Sequence, residues 1–149
     1  MKSITLLLIS ILSVFQVFGQ MVMTKKGITP ENVCHPDSIY YFLPEKPHPL
    51  ESRDSIKIRL NTIVPFAKQN PEFKGNPSIQ LAINCKGENG GGFNIISSSG
   101  NSDLDTALIN FLKTINNWKP GKLKEGNVDS WFLWNIMINN GIIEIMNRW

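Results

Sequence analysis

The residues of this chain whose types could do chemistry are few and widely spaced. Three consecutive serines at positions 97 to 99 precede a predicted helix, where the nucleophile of some hydrolases lies. The Gly-x-Ser-x-Gly pattern of a nucleophile elbow is absent, and both histidines, His35 and His48, lie in the N-terminal part of the chain. Asp103 and Asp105 could be a catalytic carboxylate pair, but two positions apart on a helix they do not share a face. Their favourable interaction with the helix dipole explains their presence in the first turn. This inventory predicts a protein without enzymatic activity and leaves a small hydrolase as the weaker alternative.

The two cysteines, Cys34 and Cys85, are the other reactive residues. In an exported protein they predict a disulfide, and two unpaired thiols are the alternative. A metal site would add His35 and His48 as ligands, but adjacent Cys34 and His35 do not have zinc-finger spacing. We therefore predict neither a metal nor another cofactor.

The N-terminus has the pattern of a secretory signal peptide. Lys2 precedes an apolar run over residues 4–18, and small side chains suit cleavage after Gly19. An uncleaved anchor is the alternative, but the run is shorter than the roughly 20 residues that a bilayer span needs. We predict a periplasmic or secreted protein of residues 20–149, without an integral membrane segment after cleavage.

Composition and charge indicate one modest globular domain. The net charge of +3 is spread along the chain without a cluster of basic and aromatic residues, which disfavours nucleic-acid binding. Three prolines, Pro44, Pro47 and Pro49, predict a short stiff connector. The predicted organisation is a signal peptide at 1–19, an N-terminal extension with this connector at 20–53, and a folded domain at 54–149.

An amphipathic helix is the clearest element of that domain. Asn101, Ser102 and Asp103 offer caps for its first turn, and Pro120 with Gly121 predicts an end near Trp118. The spacing of its apolar residues places them on one face: Leu104, Leu108, Phe111, Leu112, Ile115 and Trp118.

Strand patterns flank this helix. Apolar and polar residues alternate over 78–85, a glycine-rich loop follows at 86–92, and residues 93–98 complete a β-hairpin. A long strand is predicted over 128–139, followed by a tight Asn-Asn-Gly turn and a short strand over 142–146. The fold class is therefore α+β, a small antiparallel sheet with one main helix packed on a face.

Two segments remain less defined in sequence. Residues 54–67 alternate like a strand near their start but fit a helix capped at Asp54 or Ser55 better over their full length. Residues 33–43 are apolar without a clear period and predict an extended or short-strand segment. Residues 119–127 are polar and predict a loop.

The order strand, strand, helix, strand resembles the C-terminal domain of TonB and its relatives, which are bacterial periplasmic modules. The resemblance covers residues 63–141, with Trp118 to Lys122 and Ser98 to Gly100 as its motifs, and Ile83 to Glu88 is similar to a hairpin of small exported TonB-domain-like proteins. It implies a non-enzymatic protein- or peptide-binding module of the cell envelope. In the energy transducer the third strand captures a receptor peptide, and residues 128–139 correspond to that strand here. The short proline segment disfavours a full transducer, which stays an alternative.

The strand over 128–139 is apolar on both faces, although a sheet covered by one helix should have one wet face. Trp131, Leu133 and Met137 on the second face therefore need cover. Either the chain's own segment around Tyr40 to Phe42 packs there, or a partner does. That partner would be a second copy of the chain or a peptide added to the sheet edge.

Overall fold

The structure is a computed structural model, and it describes residues 29–149. The predicted signal peptide lies outside the described residues. The helices are α1 (Arg53–Ile63), α2 (Phe66–Gln69) and α3 (Ser102–Leu112). The strands are β1 (His48–Pro49), β2 (Ser78–Ile83), β3 (Asn89–Ser97), β4 (Trp118–Lys119), β5 (Gly121–Leu123), β6 (Gly126–Val128), β7 (Ser130–Asn139) and β8 (Ile142–Ile145). This mixed content confirms the α+β prediction.

A four-stranded antiparallel sheet in the order β3-β2-β7-β8 organises the domain. The predicted alternation of two faces is seen along β7, whereas β2 is buried on both faces because Gln80 and Ala82 also lie under cover. Ile79, Leu81 and Ile83 on β2, with Trp134 and Ile138 on β7, point to the face that α1 and α3 cover. We call this the front face and the opposite one the back face.

The helix α3 begins as predicted and ends earlier. Asn101 is the N-cap, and its Oδ1 accepts the N–H of Leu104 at 2.9 Å. The predicted end near Trp118 is wrong, because the helix stops at Leu112 and Trp118 lies in β4, paired with β1. Ile115 and Trp118 are nevertheless buried in the core, so the apolar period continued past the point where the backbone left the helix.

The ambiguous segment before the sheet is helical, as favoured. Its α1 is capped by Ser52, whose Oγ accepts the N–H of Ser55, two or three residues before the predicted caps. Pro65 separates α1 from the short α2. Ile56 and Leu60 are the α1 side chains buried in the core.

Three strand boundaries differ from prediction. The glycine-rich segment is part of β3, which starts at Asn89, because Gly90 and Gly91 lie beside β2. The predicted polar loop over 119–127 contains the β5–β6 hairpin, and the long strand begins at Ser130 because Val128 belongs to β6. Proteins can form such short hairpins from polar residues when a neighbouring element supplies the packing.

The turn between β7 and β8 is confirmed. Asn140 and Gly141 both have positive φ, 50° and 75°, which is the two-residue hairpin turn that matches the twist of the strands. The C-terminal half of β7, from Ile136 to Asn139, is therefore paired with β8.

Candidate functional site

The N-terminal extension is anchored to the sheet by a disulfide and a buried carboxylate. Cys34 and Cys85 form the predicted disulfide. Beside it lies Asp129, fully buried, whose carboxylate accepts the backbone N–H groups of Cys34 at 3.0 Å, His35 at 2.5 Å and Cys85 at 2.9 Å. The same carboxylate lies within 4.8 Å of both sulfurs. Because the sulfurs are bonded to each other, this cluster is an anchor in the oxidised protein and not a set of metal ligands.

Beyond the anchor, the chain runs beside β7. Tyr40 donates its N–H to the Asp129 carbonyl at 3.0 Å and accepts the N–H of Trp131 at 2.9 Å. One residue thus bridges the two neighbours of Ser130, which is the pattern of parallel strand pairing. The extension acts as a one-residue edge strand at the start of β7.

Tyr41, the next residue of the extension, covers part of the back face. The ring of Tyr41 stacks on that of Trp131 at 5.8 Å between centroids, and its hydroxyl accepts a hydrogen bond from Gln80 at 2.7 Å. Ile39 and Ala82 complete this small second cluster. The chain's own extension therefore covers Trp131, whereas Leu133 on the same face stays exposed.

The edge of β7 next to Tyr40 is partly open. Odd-numbered residues of β7 direct their backbone groups to this edge, because Ile136 and Ile138 bond to Pro77 and Gly75 on the other side. Further along the edge, the Asn147 side chain accepts the N–H of Asn135 at 2.8 Å and donates to the carbonyl of Leu133 at 2.7 Å.

Two backbone groups lie between these bonded positions, the carbonyl of Trp131 and the N–H of Leu133. Within residues 29–149 the structure gives neither a hydrogen-bond partner. They flank Phe132 as the groups bonded to Tyr40 flank Ser130. We call this pair of groups the edge gap.

A groove of about 970 Å³ lies over the edge gap and the back face. Its lining includes residues within 41–48, residues 147–149, and residues of β2, β3, β4 and β7. Four large apolar side chains that line it are exposed, at 38–68% of their surface: Phe42, Ile96, Leu133 and Trp149. Apolar patches of this kind with a polar rim are typical of binding sites.

The rim of the groove is basic. Lys46, Lys119 and Arg148 line it together with Glu45. Glu45 is shared between Lys119 at 3.3 Å and Lys122 at 3.7 Å. Among the described residues, Lys46 and Arg148 take part in no ion pair.

The predicted partner-binding residues lie in different environments. Trp131 is 9% exposed beneath Tyr41, whereas Leu133 is 39% exposed and lines the groove. Met137 is half-buried near the other end of β7 beside Glu144 and is not part of the groove. Sequence analysis named Phe42 only as part of a covering segment and did not place Trp149 in a site, because neither residue belongs to a periodic segment.

Of the catalytic candidates, Ser97 ends β3, Ser98 and Ser99 lie in the loop before α3, and Asp103 and Asp105 lie in the first turn of α3. The Oγ of Ser98 and the N–H of Ser99 donate to the buried carboxylate of Asp105 at 2.5 and 2.9 Å. Burial raises the pKa of Asp105, but hydrogen bonds from Ser98 and Ser99 outweigh it and hold the pKa below its usual value. Neither histidine is a hydrogen-bond partner of these groups within the described residues. The arrangement is a helix-capping network.

Comparison of the chain with protein-family models, with curated proteins and with solved structures gave no match. Among residues 29–149, no helix combines the length and apolar character that crossing a bilayer requires. The TonB-like resemblance stays a prediction.

Proposed function

We propose that this protein is an exported, non-enzymatic module of the bacterial cell envelope that binds an extended peptide or protein segment in the groove. The observation that carries the proposal is the edge gap, two unpaired backbone groups on an internal strand beside exposed apolar side chains. Unpaired strand edges bind peptides by adding a strand, while neighbouring pockets select the side chains. Export follows from the predicted signal peptide, and the envelope from the TonB-like order of elements.

Tyr40 supplies a template for the binding mode. It pairs with Ser130 through its own N–H and C=O, one position before the gap on the same edge. A guest residue opposite Phe132 would donate its N–H to the Trp131 carbonyl and accept the N–H of Leu133 in the same parallel pattern. Its neighbours would reach Leu133 and Trp149 in the groove.

The edge gap also distinguishes this proposal from the transducer alternative. In the transducer's binding mode, a receptor peptide pairs along the third strand. Here β8 pairs with Ile136–Asn139. The side chain of Asn147 already hydrogen-bonds to the N–H of Asn135 and to the carbonyl of Leu133. The remaining edge fits a short segment of few residues, which supports a binding module more than a transducer.

The proposal is tested by NMR on the chain from residue 20 to 149, titrated with blocked hexapeptides that alternate apolar and polar residues. Before addition, the amide of Leu133 should exchange with solvent faster than that of Trp131, which is bonded to Tyr40. A binding peptide should shift and protect the Leu133 amide. Methylating the backbone nitrogen of the guest residue should abolish the shift and protection of the Leu133 amide, because the donor to the Trp131 carbonyl is lost.

Two protein variants provide the complementary test. Leu133→Pro removes the free N–H without removing a bond to β2, and proline is tolerated where the N–H faces an open edge. Leu133→Ala removes the side chain and keeps the N–H. Peptide binding should be lost in Leu133→Pro and weakened in Leu133→Ala. Equal weakening, or peptide-induced shifts confined to residues away from the groove, would overturn the proposal.

A second copy of the chain is the competing occupant of the groove. Size-exclusion chromatography with light scattering, with and without reductant, separates self-association from peptide capture. A dimer that dissociates on addition of peptide would identify the second copy as the resident ligand. A monomer would support capture of a different protein.

A further inference from the structure

We infer that the segment bound in the groove carries acidic side chains beside its apolar anchors. This inference rests on the proposed function and adds the chemical class of the ligand. Its basis is the charge of the groove, which differs from that of the rest of the described chain.

The described residues as a whole carry no net charge. All 12 acidic residues lie within 29–149, whereas three of the 15 basic residues, Lys2, Lys25 and Lys26, lie outside that range, so basic and acidic residues are equal in number there. The groove lining nevertheless holds three basic side chains and one acidic side chain. Positive charge is therefore concentrated at the groove and balanced elsewhere on the surface.

The acidic residue of the rim does not cancel the basic ones. Glu45 already lies between Lys119 and Lys122, so its charge is compensated without Lys46 or Arg148. These two side chains are exposed and come from distant parts of the chain that line the same groove. A carboxylate that enters the groove would find, among the lining side chains, two cations that no carboxylate of residues 29–149 already pairs.

The positions of the basic groups are fixed by the backbone. Asn147 bonds to β7 and so places Arg148 beside the groove, while pairing of β1 with β4 places Lys119 opposite His48. Because the side chains are solvated, each contact is worth little and is screened by salt. Two contacts changed from attraction to repulsion should still alter the dissociation constant by about tenfold.

The test uses two blocked hexapeptides with the same apolar residues, one with aspartate and one with lysine at the polar positions. Dissociation constants are measured from the Leu133 amide shift at low and high salt. The aspartate peptide should bind about tenfold more tightly at low salt, and the difference should shrink at high salt. Equal dissociation constants would overturn the acidic preference and leave peptide binding intact.

Charge reversal identifies the responsible residues. Lys46→Glu combined with Arg148→Glu should abolish or invert the preference for the aspartate peptide. Lys68→Glu combined with Lys74→Glu, at two exposed positions outside the groove lining, changes the net charge equally; it is the matched control and should leave the preference unchanged. If both variants behave alike, the preference arises from overall charge and the inference is wrong. If neither peptide protects Leu133, the proposed function itself fails, and the inference with it.

Discussion

The side-chain amide of Asn61 hydrogen-bonds to both backbone groups of Ile143. Its Oδ1 accepts the N–H at 2.9 Å and its Nδ2 donates to the carbonyl at 2.8 Å. Asn61 lies on α1 and Ile143 on β8, so the helix closes the outer edge of the sheet at this point. An ion pair between Lys57 and Glu144 reinforces the same contact. This contact closes the β8 edge to strand addition at Ile143.

Replacing Asn61 by alanine should therefore destabilise the domain and open the β8 edge. Two backbone groups lose their partner, which costs about 1–3 kcal/mol of unfolding free energy. Urea unfolding measures this loss, and light scattering at high concentration should detect edge-to-edge association. Gln69→Ala, at an exposed position on α2, is the control and should change neither property. Unchanged stability in Asn61→Ala would contradict the proposed role of this contact.

The buried Asp129 should be among the most sensitive positions of the chain. In Asp129→Asn only one oxygen remains to accept three backbone N–H groups, and the new amide donor points toward them. We expect a loss of at least about 2 kcal/mol in urea unfolding. Asp37→Asn, which changes the same charge at an exposed position, should be nearly neutral. Similar unfolding midpoints for both variants would show that the carboxylate does not hold the extension.

Removing the disulfide should uncover Trp131. Replacing Cys34 and Cys85 by serine removes a covalent link between residues 51 positions apart. It should lower the free energy of unfolding by about 2–5 kcal/mol. Because Tyr41 covers Trp131, loosening of the extension should also shift tryptophan fluorescence toward that of an exposed ring. An unchanged spectrum with reduced stability would mean that the extension stays in place without its covalent link.

Stability at low pH should depend on Asp105. Its pKa is lowered in the folded protein, so its contribution is complete above the ordinary aspartate value of about 3.9 and is lost as pH falls through the lower folded value. The difference in unfolding free energy between the wild type and Asp105→Asn should be large at pH 7 and shrink in strong acid. Asp103→Asn, exposed in the same helical turn, is the control. A difference that stays constant with pH would contradict the assignment.

Alanine variants of two adjacent glycines, Gly91 and Gly92, can distinguish the cost of backbone strain from the cost of crowding against the extension. Gly91 and Gly92 both have positive φ, 80° and 66°. A Cβ at Gly92 would lie 3.0 Å from Pro30 Cγ and 3.2 Å from the Trp131 ring, whereas at Gly91 the nearest atom is 3.6 Å away. Each alanine variant should lose about 1–2 kcal/mol from backbone strain, and Gly92→Ala should lose more. Thermal unfolding of the pair measures the difference, and equal losses would show that Pro30 can move.

The sequence by itself determined the elements whose signals are local. Alternation identified the two faces of β2 and β7, Asn101 marked the start of α3, and Asn140 with Gly141 marked the last hairpin. These predictions succeeded because each depends on residues within one or two turns or strand repeats of one another. The same information could show that Trp131 needed cover, but it could not decide between the extension and a partner.

Tertiary structure decided the rest. The end of α3 and the edge gap depend on pairing between distant segments, β1 with β4 and Tyr40 with β7. The β5–β6 hairpin pairs locally but is also bridged to Glu45 of the extension. The groove is lined by Phe42 and Lys46 together with Arg148 and Trp149, which are about a hundred residues away in sequence. Periodicity reports which side of an element is buried, whereas only the folded sheet determines which backbone groups at its edge remain unpaired.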